Sequence, residues 1–149
     1  MIRICDLLSM DRIKILDAND KKQALKDICS ILSTADTITD AAELEKTIFE
    51  RENIISTSIG LGIAIPHVRL KSVTGMTMAI GVIKKGIDFQ SFDDSLVHII
   101  IMIAAPAGTH REYLSLLAKI ALLLKNNSLR ESILTAQTPQ EIYNVLKGH

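Results

Sequence analysis

One apolar run constrains the fold of this chain more than any other feature. Ile99-Ile-Ile-Met-Ile-Ala-Ala105 is its longest apolar stretch, and it is far shorter than the ~20 residues that a membrane-spanning helix needs. A short, almost continuously apolar run is typical of a central β-strand that is covered on both faces. We therefore predict one strand over Val97–Ile103 and another over Thr74–Ile83, which would end in a Lys84-Lys-Gly86 turn.

Segments with helical periodicity and capping signals lie on both sides of these strands. Arg12–Leu16 alternates like an edge strand, and Asn19 or Asp20 can cap a helix over Lys21–Leu32. Four capping-box sequences predict further helices, the first of them reaching about Glu50, and they begin at Asp40, Thr109, Ser128 and Thr138. This order predicts an α/β fold, a mixed β-sheet of about four to five strands sandwiched by helices. A chain of 149 residues fits a single domain, 1–149, with one substantial core.

A glycine-containing stretch leads into one histidine, Gly60-Leu-Gly62-Ile-Ala-Ile-Pro-His67. Pro66 fixes φ at about −65° and donates no N–H, so a strand should end there and leave His67 at a stiffened chain exit. Gly60 and Gly62 favour turn conformations whose exposed N–H groups can bind an anion. An imidazole beside such a site suits a nucleophile that accepts and passes on a phosphoryl group. From the residues alone, an ordinary loop histidine is the alternative.

This stretch, with Arg51-Glu-Asn-Ile-Ile-Ser-Thr57 before it, resembles the active-site signature of the fructose/mannitol-type enzyme IIA. That enzyme is the phosphocarrier domain of the bacterial phosphoenolpyruvate-dependent sugar phosphotransferase system, and the nitrogen-regulatory branch of the family shares the pattern. The resemblance extends from Ile4-Cys-Asp-Leu-Leu8 to Pro139-Gln-Glu-Ile-Tyr143. It implies the α/β sandwich that the pattern of strands and helices also predicts. Val68 departs from the family, which usually has a small residue there, and we expect Val68 to influence how a partner docks.

The resemblance also implies roles for individual residues. His67 would be the phosphorylated nucleophile. Arg51, Thr57 and the backbone amides of Gly60 and Gly62 would offset the charge on the phosphoryl oxygens. From the residues alone, Arg51 could equally complement the dipole at the C-terminus of its helix.

Two further histidines need separate interpretations. The family pattern places His110 beside the active histidine as an additional donor, and its position between a strand and a helix is common for site residues in α/β sheets. An exposed first-turn histidine is the alternative for His110. His98 begins the central strand, and we interpret it as a histidine with satisfied hydrogen bonds rather than a ligand. The aspartates of the loop between the two strong strands are interpreted as turn formers.

The resemblance implies phosphoryl transfer from HPr, or from its nitrogen-branch homologue, to a IIB domain of a sugar permease. One alternative is a nitrogen-regulatory enzyme IIA whose phosphorylation state controls which regulatory partners it binds. Another is a degenerate module that binds partners without phosphoryl transfer. No IIB or membrane portion is attached, so we expect a free-standing protein, although this does not separate the branches. No cofactor is expected and no metal is required for this transfer. HExxH, paired-carboxylate and Ser-His-Asp local signatures are absent.

Charge and cysteine content exclude several other classes of protein. The formal net charge is +0, which gives no electrostatic basis for binding nucleic acid or an anionic membrane. No long apolar stretch follows Arg3 and Asp6, so neither a secretory signal nor direct membrane insertion is expected. Cys5 and Cys29 lack metal-site spacing, and two cysteines in a domain of this size indicate reduced thiols. We therefore expect a cytoplasmic protein.

Overall fold

The structure is a computed structural model that describes residues 2–149. Its strands within that range are β1 Ile13–Ile15, β2 Ser58–Gly60, β3 Ile63–Ala64, β4 His67–Leu70, β5 Thr77–Ile87 and β6 Val97–Pro106. Its α-helices within that range are α1 Ile4–Leu7, α2 Lys21–Leu32, α3 Ala41–Ile54, α4 His110–Leu123, α5 Asn127–Thr135 and α6 Pro139–Leu146.

The strands form one mixed sheet in the order β1-β5-β6-β3-β2, and β4 also pairs with β6. β1 runs parallel to β5, β5 antiparallel to β6, and both β3 and β4 parallel to β6. The predicted mixed sheet is confirmed, and in residues 2–149 it has six strands rather than four or five. The difference arises because the chain around Pro66 forms two short strands along β6, and because the short β2 adds to the sheet edge.

Side chains of β6 point alternately into two apolar cores. Ile100, Met102 and Ala104 pack in the core beneath α2 and α3. Ile99, Ile101, Ile103 and Ala105 pack in the core formed with α1, α4, α5 and α6. The prediction of a central strand with helices on both faces is therefore confirmed. Among the described residues, no helix has the length and apolar character needed to cross a membrane.

Several strand and helix boundaries differ from the prediction. The prediction of a turn at Lys84-Lys-Gly86 is wrong, because β5 continues to Ile87. Its pairing with β6 shifts register between Val82 and Ile87, so a bulge takes up the extra residues without reversing the chain. Helix α3 continues past Glu50 to Ile54, which places Arg51 in the last helical turn.

The helix caps are only partly as predicted. Asp20, Asp40 and Thr138 accept hydrogen bonds from the backbone N–H three residues ahead, as expected for N-caps. The Thr109 capping box is wrong, because its hydroxyl donates to the Pro106 carbonyl instead. The Ser128 box is wrong because Asn126 caps α5.

Candidate active site

β3 ends at Ala64, before Pro66 as predicted, but a new strand begins directly after the proline. The chain resumes pairing with β6 at once, with His67 opposite Ile103. The Ile103 N–H donates to the Pro66 carbonyl at 3.0 Å, so the proline pairs with β6 through its carbonyl although it has no N–H to donate. His67 is therefore the first residue of β4, and the prediction that it lies outside a regular element is wrong.

A backbone carbonyl determines the protonation of the His67 ring. His67 Nδ1 lies 2.6 Å from the Ile65 carbonyl oxygen. Because that oxygen can only accept, Nδ1 carries the proton, and in the neutral ring the lone pair is on Nε2. The half-buried imidazole is thus fixed in one tautomer with Nε2 as its free nucleophilic atom.

A small pocket of about 90 Å³ opens beside His67. Its lining comes from the end of α3, the segment after it and the start of β4, and consists of Ile48, Arg51, Glu52, Ile55, Thr57, Pro66 and His67. The exposed Arg51 takes part in none of the ion pairs formed within residues 2–149. Arg51 lines the pocket together with His67, and this position beside His67 is the one that was predicted for it.

A second cationic side chain, Arg69 of β4, contacts two residues of α4 close to His67. The rings of His67 and Tyr113 lie 5.7 Å apart at a tilt of 59°. The Arg69 guanidinium carbon lies 5.3 Å from the centre of the Tyr113 ring. Arg69 Nη1 also donates to His110 Nδ1 at 2.8 Å. His110 therefore belongs to the neighbourhood of His67, and Tyr113 and Arg69 connect the two.

Tyr113 supplies an uncharged phenol to this neighbourhood. Burial raises the pKa of Tyr113 to about 12, and the positive charges of Arg51 and Arg69 act in the opposite direction. The side chain is only 5% exposed. Near neutral pH the phenol therefore keeps its proton and can act as a hydrogen-bond donor.

The structure does not bring the predicted glycines to His67. Gly60 and Gly62 have φ values of 81° and 77° and form the turn between β2 and β3. Ile63 pairs with Ile99 and His67 with Ile103, so the turn is separated from His67 by roughly 13 Å along β6. The anion at this turn is a side chain of the protein itself, because the Asp93 carboxylate accepts a hydrogen bond from the Leu61 N–H at 3.2 Å.

Thr57 lines the pocket but has a different role from the predicted one. Its hydroxyl donates to Glu52 Oε2 and its N–H donates to Glu52 Oε1, both at 2.8 Å. A hydroxyl has a single proton to donate, and here Glu52 accepts it. The expectation that Thr57 donates to phosphoryl oxygens is therefore wrong for this arrangement.

Other histidine and loop predictions have clear outcomes. His98 Nδ1 bonds the carbonyls of Ile83 and Lys84 at 3.1 and 3.2 Å, which confirms its structural interpretation. Asp93 Oδ1 accepts from the N–H and hydroxyl of Ser95, as expected for a turn former. These bonds are the main reason that the pKa of the Asp93 carboxyl is lowered.

The docking role expected for Val68 is wrong. Val68 is 0% exposed and packs in the core beneath α2 and α3. Successive side chains of a strand point to opposite faces, so Val68 points away from the surface that His67 faces.

Three residues of this neighbourhood were missed from the sequence. Arg69 follows His67 by two positions, which places both side chains on one face of a strand. Tyr113 follows His110 by three positions on one helix face. Glu52 is a charged residue with 4% exposure, and its position beside Arg51 in the signature was the available signal. No group of three or more His, Cys, Asp or Glu side chains in residues 2–149 is arranged to hold a metal ion.

An α/β sandwich in which a histidine with a free Nε2 lines the same pocket as an arginine has the features of a protein that carries phosphoryl groups. The chain belongs to the EIIA 2 family of the phosphoenolpyruvate-dependent sugar phosphotransferase system, whose family model matches residues 6–149.

Similar proteins come from both branches of this system. The chain is 31% identical over 149 residues to the PTS system fructose-specific EIIABC component of Bacillus subtilis, covering 99% of this chain but only 24% of that relative. It is 32% identical over 152 residues to the nitrogen regulatory protein of Bradyrhizobium diazoefficiens, covering 96% and 94% of the two chains. The crystal structure of nitrogen regulatory protein IIA-Ntr from Neisseria meningitidis superposes with a TM-score of 0.89 at 27% identity, covering 96% and 98%.

Proposed function

We propose that this protein is a phosphocarrier in which His67 Nε2 accepts a phosphoryl group from HPr, or from its nitrogen-branch homologue. The hydrogen bond between His67 Nδ1 and the Ile65 carbonyl carries this proposal, because it leaves the Nε2 lone pair free. That lone pair attacks phosphorus in line, the P–N bond of the donor phosphohistidine breaks, and the donor ring leaves with the electron pair.

The surrounding charges fit a phosphorylated histidine. Phosphorylation adds about −1.5 to −2 charges, and Arg51 lines the same pocket as His67. Arg69, held between His110 and Tyr113, adds a second positive charge nearby. The phosphoryl group then passes to a cysteine of a IIB domain, whose thiolate attacks phosphorus as the bond to Nε2 breaks.

Phosphoryl transfer in solution tests the proposal. Incubation with phosphoenolpyruvate, enzyme I and HPr should give an acid-labile, base-stable phosphate on His67, and phosphorus NMR should assign it to Nε2. The His67→Ala variant should take up no phosphate, while His149→Ala, which removes an exposed imidazole at the chain end, should label normally. Phosphate that persists in His67→Ala would show that the nucleophile is another residue.

A regulatory role is the second candidate, and the similarity to nitrogen regulatory proteins over nearly their whole length supports it. A carrier for sugar uptake should lose its phosphate rapidly to a purified fructose-type IIB domain. A regulator should retain it there and bind different proteins in its two phosphorylation states.

A further inference from the structure

Glu52 is a buried charged residue beside a pocket that suits an anion. Its side chain is 2% exposed and lines the same pocket as His67. A carboxylate there would repel a phosphoryl group, and burying it costs free energy unless it is paired and hydrogen-bonded. Its presence therefore needs a physical explanation.

Lys21, the first residue of α2, compensates the Glu52 charge. Lys21 Nζ lies 3.1 Å from Glu52 Oε1, and the lysine side chain is 16% exposed. The same ammonium donates to Gln90 Oε1 at 3.1 Å and lies 4.6 Å from the centre of the Phe89 ring. These contacts hold the ammonium against Glu52, so little net negative charge reaches the pocket.

A continuous series of hydrogen bonds connects Glu52 with His67. Both carboxylate oxygens of Glu52 bind Thr57, one through its N–H and one through its hydroxyl. The Thr57 carbonyl accepts from the Ile65 N–H at 3.1 Å. The Ile65 carbonyl then accepts from His67 Nδ1. The residue that fixes the imidazole is thus held in place through Thr57.

We propose that Glu52, with Lys21 as its counter-ion, is a positioning residue for His67. It holds Thr57, and through Thr57 the Ile65 peptide, so that the Ile65 carbonyl keeps the proton on Nδ1 and directs Nε2 toward the phosphoryl donor. This assignment deepens the proposed phosphocarrier function and rests on it. Glu52 does not touch the reacting atoms.

Glu52→Gln is the direct test, because glutamine preserves the shape but has one acceptor oxygen instead of two. Glu50→Gln is the matched control, since Glu50 lies on the same helix with a side chain that is 62% exposed. Proton–nitrogen correlation NMR of the His67 ring reports the tautomer without any phosphoryl donor. Phospho-HPr then reports the rate of phosphoryl acceptance.

Glu52→Gln should convert the single Nδ1–H form of His67 into a mixture of tautomers. It should slow phosphoryl acceptance on the order of 10- to 100-fold through kcat rather than KM, because the nucleophile is misaligned. Thr57→Val, which removes the hydroxyl but keeps the backbone N–H bond to Glu52, should give a smaller change of the same kind. It also provides a second test if Glu52→Gln does not fold. Glu50→Gln should match the wild type.

The outcomes separate this inference from the proposed function. Unchanged tautomer and rate in Glu52→Gln and Thr57→Val, with only a lower melting temperature, would show that Glu52 stabilises the fold and positions nothing. If Glu52→Gln does not fold, an unchanged tautomer and rate in Thr57→Val would overturn the inference. A wild-type protein that accepts no phosphate, but whose His67 tautomer still changes in Glu52→Gln, would overturn the phosphocarrier function and leave the positioning role intact.

Discussion

Groups around the His67 ring come from different elements and complement one another chemically. The Ile65 carbonyl sets the tautomer, and Arg51 lines the pocket. Tyr113 places a protonated phenol 5.7 Å from the imidazole, measured between ring centres. Arg51 would place a positive charge in the same pocket as a phosphoryl group on His67. Stabilisation by groups that are already in place is the most effective kind for a transferred phosphoryl group.

Arg51→Gln should lower kcat/KM for phosphoryl acceptance on the order of 100-fold, because a charged donor at the transferred group is lost. The kcat/KM of Arg51→Lys should lie between those of the wild type and Arg51→Gln, since lysine keeps the charge but not the planar fork of donors. Phosphoryl transfer from phospho-HPr, quenched at a series of times, measures these rates. Arg3→Gln, which removes an exposed arginine next to α1, is the control. Equal rates for Arg51→Gln and Arg3→Gln would exclude Arg51 from the site.

Cys29 gives a prediction for alkaline pH. Burial, and to a smaller extent the Glu45 charge, raises the pKa of Cys29 from 9.0 to about 12. Above pH 9.0 the thiol therefore ionises in the unfolded chain but not in the folded one. The contribution of the buried, protonated Cys29 thiol to the free energy of unfolding is complete below pH 9.0 and is lost as the pH rises toward 12.

Urea unfolding from about pH 8 to about pH 10 should show the free energy of unfolding decreasing with pH. The decrease should be less steep in Cys29→Ala, although that variant is less stable at the lower pH because a cavity replaces the sulfur. Cys5→Ala, which removes a half-buried thiol, is the control for loss of a cysteine side chain. The same slope in Cys29→Ala and the wild type would contradict the assignment.

At the scale of elements, the sequence predicts correctly those strands and helices that a local pattern of residues determines. The apolar run of β6 and the Asp20 cap of α2 are both local signals, and both are confirmed. Local sequence does not determine the formation of β4, because its pairing after Pro66 depends on the Ile103 N–H of another strand. The bond between Arg69 and His110 joins residues 41 positions apart. Signature residues were therefore predictable, whereas their supporting partners were not.

Val68→Ala should destabilise the protein by about 2 kcal/mol, because it removes buried methyl groups from the core beneath α2 and α3. The phosphoryl-transfer rate of the folded protein should change less than about twofold, since Val68 lies on the opposite face of β4 from His67. Denaturant unfolding and transfer kinetics measure the two effects. Leu122→Ala, at a position that is 70% exposed, is the stability control. A slower rate with unchanged stability would restore the docking role.

At the scale of the whole molecule, the site lies where elements from both faces of the sheet meet. β4 pairs with β6 on one side, and α3 from one face and α4 from the other contribute Arg51 and Tyr113. The surface beside the pocket is apolar, with Ile54, Ile55 and Ile59 exposed at 84%, 73% and 38%. Ile55 and Ile59 also line an adjoining cleft of about 410 Å³ that reaches His67 and α4. Exposed apolar groups clustered around a reactive residue are typical of a surface that binds a partner.

Ile54→Gln should therefore weaken docking of the phosphoryl donor without altering the chemistry. Loss of one contacting isoleucine should raise KM for phospho-HPr on the order of tenfold, while kcat changes little because the side chain does not line the His67 pocket. Stability should stay within about 0.5 kcal/mol, since an exposed position loses little burial. Leu122→Gln makes the same change near the end of α4, at a position that is 70% exposed, and should leave KM unchanged. Steady-state transfer over a range of phospho-HPr concentrations separates the two parameters. Equal KM values for the two variants would show that the donor docks elsewhere on the surface.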